Sequence, residues 1–453
     1  MTGAASDPKG KEGLANLTAA LLSGGGSRQM TFEQITSAFY PMAAGFGAQV
    51  DKEMTVFTGT THVDNLDKYY QIINQMLLDP GFRAEDFQRV KTDQINYLRV
   101  SLRESNDEEL GKEHLYTMIY KNHPYGHYNV GTISALERIT IDDVREFYRN
   151  NYTQANLVIG MAGGYPTTFP AKVKADMSKL PAGNARPMKL DQPKLNAGMK
   201  IDILQRDTRS TAISLGFPIS VRRGDKDFAA LALVASYFGQ HRSSNSYLYQ
   251  RLREIRGLNY GDYAYIEYFP RGMFQFTPDA NLGRQSQIFQ IWIRPVEAPN
   301  GHFTLRAALY EYDRLVRDGM SKETFDATKQ FLVKYANILT ATQDAQLGYA
   351  LDSRYYNTPE FNAYMREQLA GLTLEDVNRA IKTHLKSDRM QIALVTKDAD
   401  ALRQAILANT ASPITYNSPK TPEIMDEDRA IQIYKINVKP EDVRVVPVAQ
   451  VFQ

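Results

Sequence analysis

An arginine and a tyrosine seven residues apart are the pair whose types and spacing could do chemistry. Arg253 and Tyr260 are the second and the last residue of the stretch LREIRGLNY. The guanidinium stays charged and donates several hydrogen bonds, and the phenol donates one. Two such donors suit a carbonyl oxygen that gains negative charge during a reaction. An arginine on a solvated helix face beside a tyrosine in a sheet stays open as the alternative, because short motifs recur by chance.

A helix and a strand must position this pair. Tyr247, Leu248 and Leu252 are apolar at helical spacing, and Gly257 is placed to end that helix in a left-handed cap. The aromatic-rich segment Tyr260–Tyr268 predicts a half-buried strand. The cation would then lie at the helix end and the phenol at the strand start, near each other.

Composition excludes several classes of function. The chain has 453 residues, with 53 basic and 51 acidic side chains and a net charge of +2, so nothing favours nucleic acid or an anionic membrane as partner. It has no cysteine, which excludes disulfides and thiolate metal sites. It lacks the run of about eighteen apolar residues that a transmembrane helix needs. A polar, glycine-rich start gives no visible signal peptide.

Two other motifs are weak candidates for a site. His123 and His127 are four residues apart, but the intervening Pro124 and Gly126 keep them off one helical face, and no third metal ligand is in view. The triglycine at 24–26 lacks the Lys-Ser/Thr of a phosphate loop, so it predicts a helix end and a loop.

The second half of the chain repeats the first. Thr140-Ile-Asp-Asp-Val through Leu157-Val-Ile matches Thr373-Leu-Glu-Asp-Val through Met390-Gln-Ile without a gap. The helix start at Phe87, with Lys91 beyond it, matches Phe325 with Lys329. Predicted helices at Leu14–Leu22 and Phe228–Phe238 stand in corresponding places. A duplicated domain follows, and two like lobes with a cleft between them are the expected shape.

These patterns predict an α+β fold of two duplicated lobes that face each other across a cleft, with a C-terminal extended arm. In the first lobe we expect strands at Ala48–Thr60 and Leu157–Ala162 and a long helix over Ala84–Leu102. The predicted divisions are an N-terminal lobe at 1–177, a linker at 178–198, a C-terminal lobe at 199–410 and the arm at 411–453. The arm is expected to pack on the body, and reaching a partner subunit is the alternative.

Taken together, several stretches make the chain resemble the insulinase/pitrilysin-type metallopeptidases, the inverted-zincin family. The resemblance covers nearly everything from Gly3 to about Ile406. It is carried by Asp7-Pro8-x-Gly10-x-x-Gly13-Leu14-Ala15, His123-Pro124-Tyr125-Gly126, Gly131-Thr132, Thr140 to Asn151-Tyr152, and Leu252-Arg253-Glu254-x-Arg256-Gly257-Leu258-x-Tyr260. In this family each half is an α+β domain, and the halves close over an extended peptide. Family members have strands before the Asp-Pro-x-Gly stretch that this sequence does not show, so the expectation is either a truncated start or a first sheet that lacks an edge.

The resemblance implies a zinc site that this sequence does not fill. The family carries H-x-x-E-H on its first helix, with a further glutamate from the long helix. Here Asn16 and Ala20 stand at the two histidine positions, Ala19 at the general base, and Asn96 by spacing at the third ligand. Alanine has no donor atom and asparagine is a poor zinc ligand. We therefore expect no metal in this chain.

The resemblance also implies a role for Arg253 and Tyr260. In the family an Arg/Tyr pair at this spacing hydrogen-bonds the carbonyl of the bond being cut, and some members are heterodimers in which one subunit holds zinc and the other supplies the pair. The chain is therefore interpreted as the non-catalytic subunit, which binds extended peptide, in part through a strand edge at Ala48–Val56, beside a zinc-bearing H-x-x-E-H paralogue. A structural scaffold and a stand-alone peptide-binding protein remain alternatives. Relatives of this type imply the periplasm if an export signal precedes this start, and the cytoplasm otherwise.

Overall fold

The computed structural model describes residues 1–185 and 188–453. The first lobe is mostly helical. Its elements are α1 (Leu14–Gly24), α2 (Phe32–Phe39), β1 (Gly45–Val50), β2 (Thr55–Thr60), α3 (Leu66–Leu78), α4 (Ala84–Asn96), α5 (Asp107–Ile119), α6 (Ile133–Arg138), α7 (Ile141–Asn151) and α8 (Phe169–Met177). Helix α1 packs on α4 and α7 and contributes several leucines to the core of this lobe. The predicted long helix is confirmed, although its last part, Tyr97–Leu102, is a π-helical segment.

The segment predicted as one strand over Ala48–Thr60 is a hairpin instead. β1 and β2 pair antiparallel, with Val50 opposite Thr55. The turn between them carries Asp51, Lys52 and Glu53, all of which are buried. Within residues 1–185 and 188–453 neither strand pairs with a third, so the outer edge of each is open.

The strand predicted at Leu157–Ala162 does not form. Leu157, Val158 and Ile159 are 39–44% exposed and have no regular secondary structure. A strand is stable only when a neighbour takes up its backbone hydrogen bonds. The described part of the chain places no strand beside this segment.

The second lobe is built on a sheet. Its elements are β3 (Lys200–Gln205), β4 (Ser210–Ile219), α9 (Phe228–Gly239), β5 (Asp262–Tyr265), β6 (Gln287–Glu297), α10 (Gly301–Asp318), α11 (Lys322–Leu339), α12 (Gln343–Tyr356), α13 (Phe361–Gly371), α14 (Leu374–His384), β7 (Gln391–Thr396) and α15 (Ala399–Leu407). The strand order is β5-β6-β4-β7-β3, with a further strand from the C-terminal arm beside β3. Helix α5 of the first lobe packs on β4 and β7. The lobes therefore share an interface.

Equivalent contacts in the two lobes support the predicted duplication. Lys91 Nζ donates to the carbonyls of Glu137 and Ile139 at 2.8 and 2.9 Å. Lys329 Nζ donates in the same way to Ala370 and Leu372, at 3.2 and 2.9 Å. Each lysine thus reaches the backbone just before a helix that opens with a capping box, at Thr140 in α7 and Thr373 in α14.

The segment between the lobes and the C-terminal arm differ in their secondary structure. Residues 178–185 and 188–198, between α8 and β3, contain no helix or strand, and residues 186 and 187 of the predicted linker lie outside the described residues. The arm contains a helix, α16 (Pro422–Ile431), and is therefore only partly extended. Its strand β8 (Val443–Pro447) pairs parallel with β3, and the carbonyls of Phe452 and Gln453 accept from the amides of Ile133 and Ser134. The arm thus packs on its own chain.

Candidate functional site

Arg253 lies at the end of a π-helical segment, Tyr249–Glu254. Gly257 has φ +68°, and its amide donates to the Arg253 carbonyl at 2.7 Å, which confirms the predicted left-handed cap. The guanidinium carbon is 4.6 Å from the centre of the Tyr249 ring, and Nη1 donates to Glu254 Oε1 at 3.3 Å. A third of the Arg253 side chain is exposed, so the cation is held from one side and open on the other.

Tyr260 precedes the strand instead of beginning it. β5 covers only Asp262–Tyr265, and all four residues are buried, so the predicted half-buried alternation is wrong. Tyr260 itself is 75% exposed, and its hydroxyl has no hydrogen-bond partner among the described residues. The phenol is therefore free to donate to a ligand.

Sequence reasoning missed a buried polar pair behind this turn. Asn259 Nδ2 donates to Asp262 Oδ1 at 2.7 Å and to the carbonyls of Gly261 and Arg294 at 3.3 and 3.1 Å. Asp262 is fully buried, and burial raises the pKa of its carboxyl to about 8, although the Arg253 charge acts in the opposite direction. Asp262 Oδ2 has no partner in the described chain. The only available signal was the Asn-x-x-Asp spacing, which is also common in exposed turns.

The four positions at which the resemblance implies zinc chemistry lie on α1 and at the end of α4. Ala19 is 1% exposed and belongs to the core, Asn16 and Ala20 are half-buried, and Asn96 is exposed. Two methyl groups and two carboxamides do not form a donor set for zinc. No group of three or more His, Cys, Asp or Glu side chains that could hold a metal occurs in residues 1–185 and 188–453. The residues present therefore do not fit the metal.

The motif before α1 has a structural role. Asp7 accepts hydrogen bonds from the amides of Gly13 and Ala15, both at 2.7 Å, and so satisfies free donors at the start of the helix. His127 Nε2 lies 3.0 Å from the same carboxylate, whereas His123 Nε2 lies 2.9 Å from the Asp191 carbonyl. The two histidines thus serve different contacts.

Arg253 lies at the end of the π-helical segment and Tyr260 lies in the connection to β5, and within the described residues no hydrogen bond or ion pair joins either of them to the four first-lobe positions. Two cavities, of about 600 and 340 Å³, lie elsewhere and are not lined by either residue. The pair is thus presented on the molecular surface. Among the described residues no helix is both long and apolar enough to span a membrane.

Comparison with known proteins gives the family. Residues 1–132 match the family model described as insulinase (peptidase family M16), and residues 138–332 match that of the peptidase M16 inactive domain. The non-peptidase homologue YmxG of Helicobacter pylori is 21% identical over 72% of this chain and 71% of its own length. An uncharacterised zinc protease of Rickettsia bellii is 25% identical over 58% of this chain and 63% of its own length.

Solved structures agree with these matches. A peptidase M16 inactive domain from Pseudomonas fluorescens superposes with a TM-score of 0.74 at 26% identity, and the match covers 87% of this chain and 90% of that one. A protease from H. pylori gives a TM-score of 0.73 at 14% identity, with 87% and 92% covered, and thus shows the shared fold. The chain belongs to the insulinase family, peptidase family M16, and resembles its peptidase homologues of the inactive kind.

Proposed function

We propose that this chain is the non-zinc subunit of a heterodimeric zinc metallopeptidase, to which it contributes Arg253 and Tyr260. The observation that carries the proposal is the availability of the pair. Arg253 is open on one side, and the Tyr260 hydroxyl has no partner in the described chain. The positions that would hold zinc in this chain carry no suitable donors. A complete site then requires a partner subunit with an intact H-x-x-E-H motif.

The two side chains would act on the carbonyl oxygen of the bond being cut. The guanidinium fixes and polarises this oxygen, and the phenol donates to it as negative charge develops. One such donor contributes roughly 3 kcal/mol to lowering the barrier. Turning Arg253 toward a substrate gives up its contact with Glu254, which is an exposed ion pair worth at most about 1 kcal/mol. The contact that Arg253 makes without substrate therefore opposes this role only weakly.

The open edge of the hairpin supplies a place for an extended peptide. Strand β1 pairs only with β2 within the described residues, so the outer backbone groups of Gly45–Val50 are free of sheet partners. A substrate strand could add to this edge by main-chain hydrogen bonds. This refines the predicted edge at Ala48–Val56 to strand β1.

The test is to combine this chain with the zinc-bearing paralogue and measure turnover of an extended peptide. We expect Arg253→Ala and Tyr260→Phe each to lower kcat by about 100-fold, the usual loss for one oxyanion donor. Arg366→Ala and Tyr40→Phe are matched controls, because both side chains are exposed and neither has a hydrogen-bond partner in the described chain. Unchanged turnover in Arg253→Ala would refute the donation and favour the scaffold alternative.

Two further measurements concern the chain by itself. Elemental analysis of the purified chain should give no stoichiometric zinc, and the chain alone should cleave nothing, whereas tight stoichiometric zinc would overturn the assignment as the non-zinc subunit. We also propose a periplasmic location. Cell fractionation of the full gene product tests it, and recovery in the cytoplasmic fraction would contradict it.

A further inference from the structure

The C-terminal arm is bonded to the segment that carries Arg253. Helix α16 of the arm packs on α10, and α10 packs on the π-helical segment Tyr249–Glu254. Within residues 1–185 and 188–453, Arg253 makes no hydrogen bond or ion pair with the arm. Its neighbours Arg251 and Arg256 both do. The arm therefore reaches the segment through the residues on either side of Arg253.

Glu427 of α16 joins these two neighbours. Glu427 Oε2 accepts from Nη2 of Arg251 and, at 2.6 Å, from Nη2 of Arg256. Its other oxygen, Oε1, accepts from Nη1 of Arg314 on α10 at 2.9 Å. Both oxygens of Glu427 are thus occupied by charge-assisted bonds, which are the stronger kind. One carboxylate of the arm thereby connects the segment to α10.

Asp428, the next residue of α16, adds a second contact with Arg256. Arg256 Nε donates to Asp428 Oδ1 at 2.8 Å, and the Tyr416 hydroxyl donates to Oδ2 at 2.7 Å. Arg256 Nη1 also donates to the Arg251 carbonyl at 2.8 Å, so the same guanidinium bonds to the backbone of the segment. Arg256 and Asp428 are both buried. Removing one charge of a buried pair leaves the other uncompensated, so this contact resists separation.

Glu311 of α10 holds the segment at its other end. Arg251 Nε donates to Glu311 Oε1 and the Tyr247 hydroxyl donates to Oε2, each at 2.7 Å. Together with the contacts of the arm, this makes a cluster of three arginines and three carboxylates, balanced in charge. Loss of one carboxylate leaves the cluster with an excess positive charge.

The backbone of the segment explains why its position depends on such contacts. The Ile255 amide donates to the Gln250 carbonyl at 3.0 Å, five residues back, which is the π-helical pattern. Turns of this kind are rare and usually single. A single helical turn is too short to be stable by itself. Side-chain contacts with the rest of the protein therefore fix where the segment lies.

We propose that the arm positions Arg253 for its contact with substrate, with Glu427 and Asp428 as the positioning residues. The proposal rests on the proposed function, in which Arg253 donates to the carbonyl of the bond being cut. It adds a role for α16, which lies beyond the stretches 1–132 and 138–332 that match the family models. A misplacement of about 1 Å can lower a rate about 100-fold. A loosened segment should therefore lower turnover even with Arg253 intact.

The first measurement is hydrogen–deuterium exchange of the full chain alone, followed by mass spectrometry. Glu427→Gln removes the charge that the two arginines share, so peptides covering residues 249–258 should exchange at least about 5-fold faster, because local opening there becomes easier. Peptides covering β6 should be unchanged. Asp426→Asn is the matched control on the same helix, because Asp426 and its ion-pair partner Arg429 are 64% and 65% exposed. It should leave the exchange of both regions as in the wild type.

The second measurement is a double-mutant cycle on the complex with the zinc-bearing paralogue and an extended peptide. We expect Glu427→Gln to lower kcat by about 10-fold with little change in KM, because the bond that Arg253 makes strengthens in the transition state. The loss should disappear when Arg253 is already alanine, since a positioning residue acts only through the residue that it positions. A merely structural loss would have the same size in both backgrounds. Asp426→Asn should leave kcat unchanged.

Two further variants repeat both measurements in case Glu427→Gln does not fold. Asp428→Asn removes the other acid of the arm. Arg251→Lys keeps the charge of the cluster but offers one nitrogen in place of the two that bond Glu311 and Glu427. Both variants should change exchange and kcat in the same direction as Glu427→Gln.

The outcomes separate this proposal from the proposed function. Unchanged exchange of residues 249–258, or equal losses of kcat in the wild-type and Arg253→Ala backgrounds, would overturn the positioning by the arm and leave the donation by Arg253 standing. No effect of Arg253→Ala itself on turnover would overturn both.

Discussion

Replacement of Asp262 by asparagine should stabilise the protein, and the gain should grow with pH. The buried carboxyl has its pKa raised from 3.8 to about 8. Between these values the folded protein holds a proton that the unfolded chain releases, so the stability of the wild type falls as pH rises. The slope is about 1.4 kcal/mol per pH unit. Asparagine keeps an acceptor for Asn259 Nδ2 and has no proton to lose.

The size of the effect follows from the pH range between the two pKa values, 3.8 and about 8. Below about pH 4 both states of the wild type are protonated and the variant gains nothing through linkage. Between about pH 4.5 and pH 7.5 its advantage should increase by up to about 3–4 kcal/mol, and it should level off above pH 8.

Urea unfolding measured at several pH values tests this prediction. The only tryptophan, Trp292, is 1% exposed and lies on β6 opposite Tyr263 of β5, so its fluorescence reports the unfolding of this sheet. Asp207→Asn is the matched control, because that side chain is 89% exposed. A difference between variant and wild type that stays constant from pH 4.5 to 7.5 would refute the reasoning.

Four further substitutions test the fold. Asp51→Ala leaves Arg284 as an uncompensated buried cation, since Arg284 Nε donates to Asp51 Oδ2 at 2.6 Å and both side chains are at most 2% exposed. We expect the free energy of unfolding, measured in urea, to fall by about 3–5 kcal/mol, and a fall below about 1 kcal/mol would contradict this. Lys91→Met and Lys329→Met each remove a charged donor to two carbonyls, and each should lower the free energy of unfolding by about 1–2 kcal/mol. A decrease for only one of the two variants would contradict the equivalence of the two lysines. The pKa of Asp227 is lowered to about 2, mainly by its hydrogen bond from Arg379. Asp227→Asn should lower the free energy of unfolding by about 1 kcal/mol at pH 6 and by much less at pH 2, because this contribution is fully present above about pH 4 and is lost as the pH falls through the folded-state pKa. Equal thermal midpoints of both proteins at pH 6 would speak against it.

Local signals predicted the elements that depend on nearby residues. The capping boxes at Thr140 and Thr373 begin helices as expected, because each threonine and the aspartate three residues later satisfy each other's backbone donors. The left-handed cap at Gly257 also forms, since glycine adopts positive φ at little cost. Both kinds of signal are complete within a few residues of sequence.

The hairpin turn between β1 and β2 could not be predicted in this way. Its residues Asp51, Lys52 and Glu53 include no glycine or proline, and three charged residues in sequence indicate an exposed surface. Instead, distant partners hold them in the interior. Arg284 pairs with Asp51, the His127 carbonyl accepts from Lys52, and Gln285 and Tyr355 donate to Glu53 at 2.7 and 2.9 Å. These contacts link residues far apart in the chain.

The predicted strand at Leu157–Ala162 failed for a related reason. Its counterpart in the repeat, β7, lies between β3 and β4, which satisfy its backbone on both sides. Within the described residues the first lobe offers the segment no such neighbours. β-Propensity describes how well a residue fits a paired, half-buried surface, and it does not create the partner strand.

The two sets of candidate residues differ in how far the fold itself accounts for them. Ala19 is part of the hydrophobic core, so its side chain is explained by packing alone. Arg253 and Tyr260 contribute little to the fold, because one makes an exposed ion pair and a single ring contact and the other is 75% exposed. Substitutions at such surface positions usually change stability by less than about 0.5 kcal/mol. A large loss of turnover in Arg253→Ala or Tyr260→Phe would therefore report on substrate and not on unfolding, which is why these two residues give the proposed function its sharpest test.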